Sequence, residues 1–262
     1  MNRPNERSRE LLHRLTIAVL SMALWTVHSG GAAQPGARVQ GDWAGTLVVK
    51  GRPMSVELTI GDLQSGAAGT RLIYGVPRSC TLNAEYSGEG GANEYFSFTE
   101  SNGGFCDRLH DGQLWVDLAD DRTLRFNVAS ESGQISESGT LLRVGAQAGD
   151  AIDPRVTGQW AGQLSVRGRP VRIELTIPQG RIGSAGTELY YGAPRSCKLS
   201  AEFAGSLQDR YAFAFRSADG GFCDRLVFGL MNAVPGDDGS LSITVSSQQS
   251  EVEEAATLSK AR

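Results

Sequence analysis

The chain repeats itself, and that constrains its fold more than any other feature. Adding 117 to a residue number in the first half gives its counterpart in the second. Gly41-Asp42-Trp43-Ala44-Gly45 becomes Gly158-Gln159-Trp160-Ala161-Gly162, and Glu57-Leu58-Thr59-Ile60 becomes Glu174-Leu175-Thr176-Ile177. Pro77-Arg78-Ser79-Cys80 becomes Pro194-Arg195-Ser196-Cys197, and Gly103 to Leu109 returns as Gly220 to Leu226. From Gly41 to Gly112 about half of the positions are identical with no insertion. The chain therefore holds two copies of one domain, and the fold must be complete within about 105 residues, an ordinary domain size. The copies are read as 38–144 and 157–262. Between them, 145–156 (GAQAGDAIDPRV) lacks apolar periodicity, contains Pro154 and reads as a linker.

Residues 1–33 read differently. Four arginines precede a continuous apolar run from Leu15 to Val27, and small residues follow up to Ala33. That is the layout of a secretory signal peptide, and the run makes only about 20 Å of helix against a bilayer core of about 30 Å. The expected location is periplasmic or secreted. Four cysteines lie beyond this leader, and an even count in an exported chain implies disulfides. Each copy holds two of them 26 residues apart, so the repeat selects Cys80 with Cys106 and Cys197 with Cys223. The formal net charge of −4 argues against nucleic acid as a partner.

Period-two alternation dominates each copy. Val56, Leu58 and Ile60 share one face of a strand while Glu57 and Thr59 take the other, and Ile173, Leu175 and Ile177 repeat the pattern. Turn signals divide the first copy into about eight strands, near 43–50, 54–60, 69–75, 80–87, 94–100, 107–118, 123–130 and 137–144. Pro235 and Gly236 predict a shorter sixth strand in the second copy. The fold class is all-β. Eight short sequential strands suit a small antiparallel β-barrel, which leaves no open sheet edge, with a β-sandwich as the alternative.

The Gly-x-Trp heading each copy resembles the opening strand of calycins such as lipocalins and avidins. In lipocalins a basic side chain from the last strand covers that Trp, and Arg143 and Lys260 occupy matching positions here. The whole pattern (Trp-x-Gly, an alternating strand, Gly and Tyr before the first Cys, then Gly-x-Cys) is also similar to an uncharacterised bacterial extracytoplasmic module. That resemblance implies an envelope or extracellular setting and no particular activity.

Catalytic patterns are sparse. The only histidine beyond the leader is His110, and its counterpart is Val227, so a Ser-His arrangement has no base in the second copy. Asp117, Asp120 and Asp121 map onto Val234, Asp237 and Asp238 and read as a solvated turn, not a calcium loop. Glu57 with Asp107, and Glu174 with Asp224, are the carboxyl pairs shared by both copies, but Glu57 faces away from the apolar side of its strand. No metal site and no cofactor is expected.

The arginines carry more information. They outnumber lysine 22 to 3. Arg78 and Arg195 precede the first cysteine of each copy, and Arg108 and Arg225 follow the second, so each disulfide gathers a pair. Tyr74 and Tyr191 lie on the strand leading in. Two guanidinium forks and an aromatic ring can hold a carboxylate or phosphate. They can equally pair with Asp107, Asp224, Glu85 or Glu202 in a structural ion cluster. The Arg in each Gly-Arg-Pro turn, Arg52 and Arg169, could contact a partner. Three readings follow: an exported non-enzymatic binding module for a small molecule, glycan or protein; an inhibitor of a hydrolase; and an enzyme with an unfamiliar site, which the lack of a converging acid, base and nucleophile disfavours.

Overall fold

The computed structural model describes residues 38–145, 151–166 and 168–261. The expected leader and positions 146–150 of the expected linker lie outside the described residues.

Each copy is a closed antiparallel barrel of eight sequential strands. In barrel 1 these are β1 (Gly41–Val49), β2 (Arg52–Ile60), β3 (Thr70–Tyr74), β4 (Cys80–Gly90), β5 (Asn93–Ser101), β6 (Gln113–Asp120), β7 (Thr123–Ala129) and β8 (Ser136–Arg143). Barrel 2 repeats them as β9 (Gly158–Val166), β10 (Arg169–Ile177), β11 (Ala185–Tyr191), β12 (Cys197–Leu207), β13 (Arg210–Ala218), β14 (Leu230–Pro235), β15 (Leu241–Ser246) and β16 (Glu253–Lys260). The sixth strand of barrel 2 is the shorter of the pair, six residues against eight.

One expected strand starts later than its alternation suggested. The stretch 107–118 yields its first residues to a 3-10 turn, Gly104–Arg108, and β6 begins only at Gln113. The turn carries Cys106, which is tied to Cys80 at the start of β4, so the chain is held over the barrel end before it re-enters the sheet. Barrel 2 does the same with the 3-10 turn Gly221–Leu226 and the Cys197–Cys223 disulfide.

The Trp-x-Gly signature is explained by barrel closure. β1 pairs with β2 along its length and with β8 at Trp43↔Arg143 and Ala44↔Leu142. A Cβ at Gly45 would stand 2.5 Å from the Thr140 carbonyl oxygen and 2.8 Å from a Leu141 methyl, so only glycine lets the last strand approach. Gly162 faces Thr257 and Leu258 in the same way. Trp43 fills the floor beside this closure and donates its ring N–H to the Val39 carbonyl at 2.7 Å; Trp160 donates to Val156 at 2.9 Å. The Arg143 guanidinium lies 4.1 Å from the Trp43 ring centre and the Lys260 ammonium 5.3 Å from that of Trp160.

Both interiors are filled by side chains. Val56, Leu58, Leu72, Leu82, Phe96, Leu114, Val116, Leu124 and Phe126 are at most 1 % exposed inside barrel 1, and Ile173, Leu175, Leu199, Phe203, Phe213, Phe215, Met231 and Leu241 likewise in barrel 2. An eight-stranded barrel is just wide enough for its own side chains to meet across the axis, and each large apolar residue so buried contributes about 1.5–3 kcal/mol. The second half of the expected linker belongs to barrel 2: Ala151 bridges to Arg181, and Ile152 and Val156 are buried in that barrel's core.

The barrels also dock on one another. Val76 of barrel 1 enters an apolar seat formed by Ala204, Ala212, Ala214 and Leu230 on the outside of β12, β13 and β14. Thr46 donates to the Ala204 carbonyl at 2.8 Å. Arg52, at the Gly-Arg-Pro turn, donates to the carbonyls of Ser247, Gln248 and Phe228 at 3.2, 2.5 and 3.2 Å. Among the described residues no helix is long and apolar enough to cross a membrane.

Candidate functional site

The residues gathered by each disulfide form one cluster over the end of each barrel. Tyr74 closes β3, Arg78 lies in the loop between β3 and β4, Phe105 sits on the 3-10 turn, and Glu137 projects from β8. Arg78 grips Glu137 with both terminal nitrogens, Nη1 to Oε2 at 2.6 Å and Nη2 to Oε1, and the Tyr74 hydroxyl donates to the same Oε2 at 3.2 Å. The guanidinium carbon lies over Phe105 at 3.5 Å from the ring centre, and Tyr74 meets that ring edge-on at 5.9 Å.

Barrel 2 reproduces the cluster. Arg195 binds Glu254 at 2.7 and 2.5 Å, Tyr191 donates to Glu254 at 3.2 Å, and Phe222 lies 3.5 Å beneath Arg195. The Arg and Glu side chains retain only 10–14 % exposure in both barrels. Burial, reinforced by the neighbouring Glu137 or Glu254 charge, pushes both tyrosine hydroxyls far above their ordinary range, so they stay protonated donors.

The structure thus brings Tyr74, Arg78 and the disulfide together as expected, but with a different acid. Asp107 accepts from the Ser101 hydroxyl at 2.8 Å, Glu85 and Asp224 are exposed, and Glu202 lies between the barrels. The partner is instead 59 residues downstream on the eighth strand. One signal was available: β8 and β16 have diverged (SESGTLLR, EEAATLSK), yet both keep Glu at the matching position.

Arg108 and Arg225 are in a different state. Each lies within reach of the same aromatic ring, 5.7 Å from Phe105 and 6.0 Å from Phe222, but both are exposed. Among the described residues no carboxylate stands within ion-pair distance of either. Each barrel end therefore presents one free guanidinium beside a half-buried ring, on a turn anchored by a disulfide.

The other candidate chemistry is dispersed. His110 pairs with Asp111 at 2.9 Å, and that hydrogen bond and charge raise its pKa. Asp117 is held by Arg125, Asp120 accepts the Arg122 backbone N–H at 2.8 Å, and Asp121 pairs with Arg38, so each acid of that turn is engaged. Glu57 does lie outside its barrel, half-buried in the seam between barrels, while Asp107 is exposed on the 3-10 turn. Glu174 pairs with Arg172 at 2.6 Å on an open face.

Sequence reasoning missed the seam itself. Glu202 is buried there and accepts from the Ser55 hydroxyl at 3.0 Å and the Val76 N–H at 2.8 Å, with Arg216 at 3.5 Å from its second oxygen. A cleft of about 210 Å³ beside it is lined by Glu57, Tyr74, Gly183, Glu202 and Arg216. Burial raises the Glu57 pKa, and the nearby Glu202 charge adds to this while Arg181 opposes it.

No protein-family model matches the chain, and no curated protein matches its sequence. Among solved structures, the chain is similar to a protein of unknown function of the DUF3598 family from Nostoc punctiforme, with 15% identity over 86% of this chain and 96% of that one. The TM-score is 0.23, too low for the likeness to carry any argument.

Proposed function

We propose that the chain is an exported, non-catalytic binding module of the bacterial envelope that recognises a carboxylate- or phosphate-bearing partner on its outer surface. The observation that carries this reading is that both barrels are filled by their own apolar side chains, which moves recognition from the lumen to the exterior. On that exterior, the feature repeated in both copies is the free Arg108 or Arg225 beside Phe105 or Phe222. A guanidinium on a disulfide-anchored turn is positioned in advance, so little side-chain and loop ordering is lost on binding. Arg78 and Arg195 act behind it, holding the ring in place through Glu137 and Glu254.

A calycin-like ancestry for each barrel is supported by the basic side chain lying over the Trp of the opening strand. Export is supported by the two disulfides and the leader composition. The absence of a base at Val227 opposite His110 supports a non-catalytic role. The same rigid turns also suit a hydrolase inhibitor, with two copies adding avidity.

Native mass spectrometry on the protein purified gently from its host tests the reading. Bare mass, or the mass plus a second macromolecule lost from an Arg108→Ala, Arg225→Ala variant with unchanged melting temperature, is expected. A bound small molecule of a few hundred daltons that survives those substitutions would overturn exterior recognition.

A further inference from the structure

The docking of the two barrels is heterologous: the faces that meet are different. Barrel 1 offers the outside of β1 and β2 with Val76, and barrel 2 receives it on the outside of β12 and β13. Because both barrels derive from one sequence, each also carries the counterpart of the face it does not use. The counterpart of the offered face lies on β9 and β10, and that of the receiving face lies on β4 and β5. Both are open, with Gln163, Arg169, Arg172 and Ala193 exposed on one and Glu85, Ser87, Thr99 and Gln113 on the other.

Their charges have been exchanged across the junction. At the seam inside the chain, Ser55 faces Glu202, whose guanidinium partner, Arg216, comes from its own sheet. At the counterpart positions the Ser has become Arg172, which now meets only Glu174 of its own strand at 2.6 Å on an exposed face, the Glu is Glu85, and the Arg has become Thr99. Glu85 has lost the arginine that Glu202 meets on the neighbouring strand, shares its open surface with Arg71, and would gain a second guanidinium from the opposing face. Sizes have been exchanged too. Val76 against Ala212 inside the chain corresponds to Ala193 against Tyr95 outside it, so the larger side chain has changed sides. Arg169 corresponds to Arg52, and the carbonyls it would meet are those of Asp111, Ser130 and Glu131, two of them on acidic residues.

We propose that a second copy of this chain is the partner of these faces, docking the Arg172 face of one molecule on the Glu85 face of the next. The two faces of a barrel are centred three strands apart in a ring of eight, well round from one another, which leaves room for a third barrel. A heterologous contact that does not close on itself extends, so the product is a head-to-tail chain. The contact is weaker than the internal one. Ser87, Ser97 and Gln113 replace the apolar Ala204, Ala214 and Leu230, and no linker supplies the effective concentration, of millimolar order, that a short tether gives.

Sedimentation velocity on the protein as its host processes it, from about 10 μM to about 1 mM, spans that range. The expected result is a sedimentation coefficient that climbs past the dimer with concentration and falls with added salt. Arg172→Glu and Glu85→Arg each hold the protein monomeric, and the double variant restores association. Both positions are exposed, so circular dichroism should show all three variants folded. A monomer throughout the range overturns the proposal. So does a dimer indifferent to both reversals, which would instead indicate exchange of barrels between chains.

Discussion

The two barrels agree inside and at their disulfide-capped ends but differ on the outside of the fourth and fifth strands. Ala204, Ala212 and Ala214 are buried against Val76, whereas the same positions in barrel 1 carry Ser87, Tyr95 and Ser97. Leu230 and Gln113 differ in the same sense. A β-barrel holds its inward positions by packing, where losing one methylene is felt. Outward positions are set by whatever covers them. In barrel 2 that cover is barrel 1, whereas within one chain the same face of barrel 1 is left open. Duplication alone did not specify the docked pair; small apolar residues on one copy's outer face did.

Removing either disulfide is the strongest test of the inner likeness. Cys80→Ala with Cys106→Ala, or Cys197→Ala with Cys223→Ala, should each cost about 3.5 kcal/mol, because the closed loops are of equal length. Urea unfolding should show equal losses. A loss confined to one pair would show that the barrels are not stabilised alike.

Next in size is the capping ion pair. Arg78→Ala and Arg195→Ala should each cost about 3 kcal/mol by leaving Glu137 or Glu254 buried without its partner. The melting temperature should fall by the same amount in both. A stable variant that has lost partner binding would return these arginines to a ligand-holding role.

The outer difference is isolated by one aligned pair of substitutions. Glu202→Ala should cost about 1–3 kcal/mol, since Val76 N–H and Ser55 lose their shared acceptor. Glu85→Ala, at the matching exposed position, should stay within about 0.5 kcal/mol. Equal effects would mean that the seam contributes nothing.

The smallest effect is on pH. Burial in the seam raises the Glu57 pKa above its ordinary value of 4.5, so the docked state binds the proton more readily than the unfolded chain. The penalty for the charged form is fully present above the raised pKa and is relieved as pH falls through it towards 4.5. Barrel docking should therefore tighten slightly on mild acidification, and Glu57→Gln should flatten that dependence in differential scanning calorimetry. A wild-type profile matching the variant's would place Glu57 in solvent.

Much of this was legible in the residues. The offset of 117, the alternation in Val56-Leu58-Ile60 and the even cysteines specified two all-β copies with one disulfide each, because strand periodicity and covalent pairing are local or nearly so. The turn residues placed most strand limits, and the missed start of β6 came from a disulfide that overrode alternation. Of the capping cluster, Arg78, Tyr74 and their counterparts stood out beside the cysteines. Glu137 and Glu254 did not, since they reach Arg78 and Arg195 only when the eighth strand folds back beside the first.

The repeat, the fold class and the cysteine pairing follow from residue order, because all three depend on short spacings or on matching one copy against the other. Tertiary structure alone decided that the barrels are filled, that Glu137 and Glu254 claim the inner arginines, and that Arg108 and Arg225 remain free. It also decided which outer face of each copy is covered. These outcomes depend on contacts between strands far apart in the chain and on how one closed barrel meets another. Period-two patterning records only that a side chain faces out, not what it meets there.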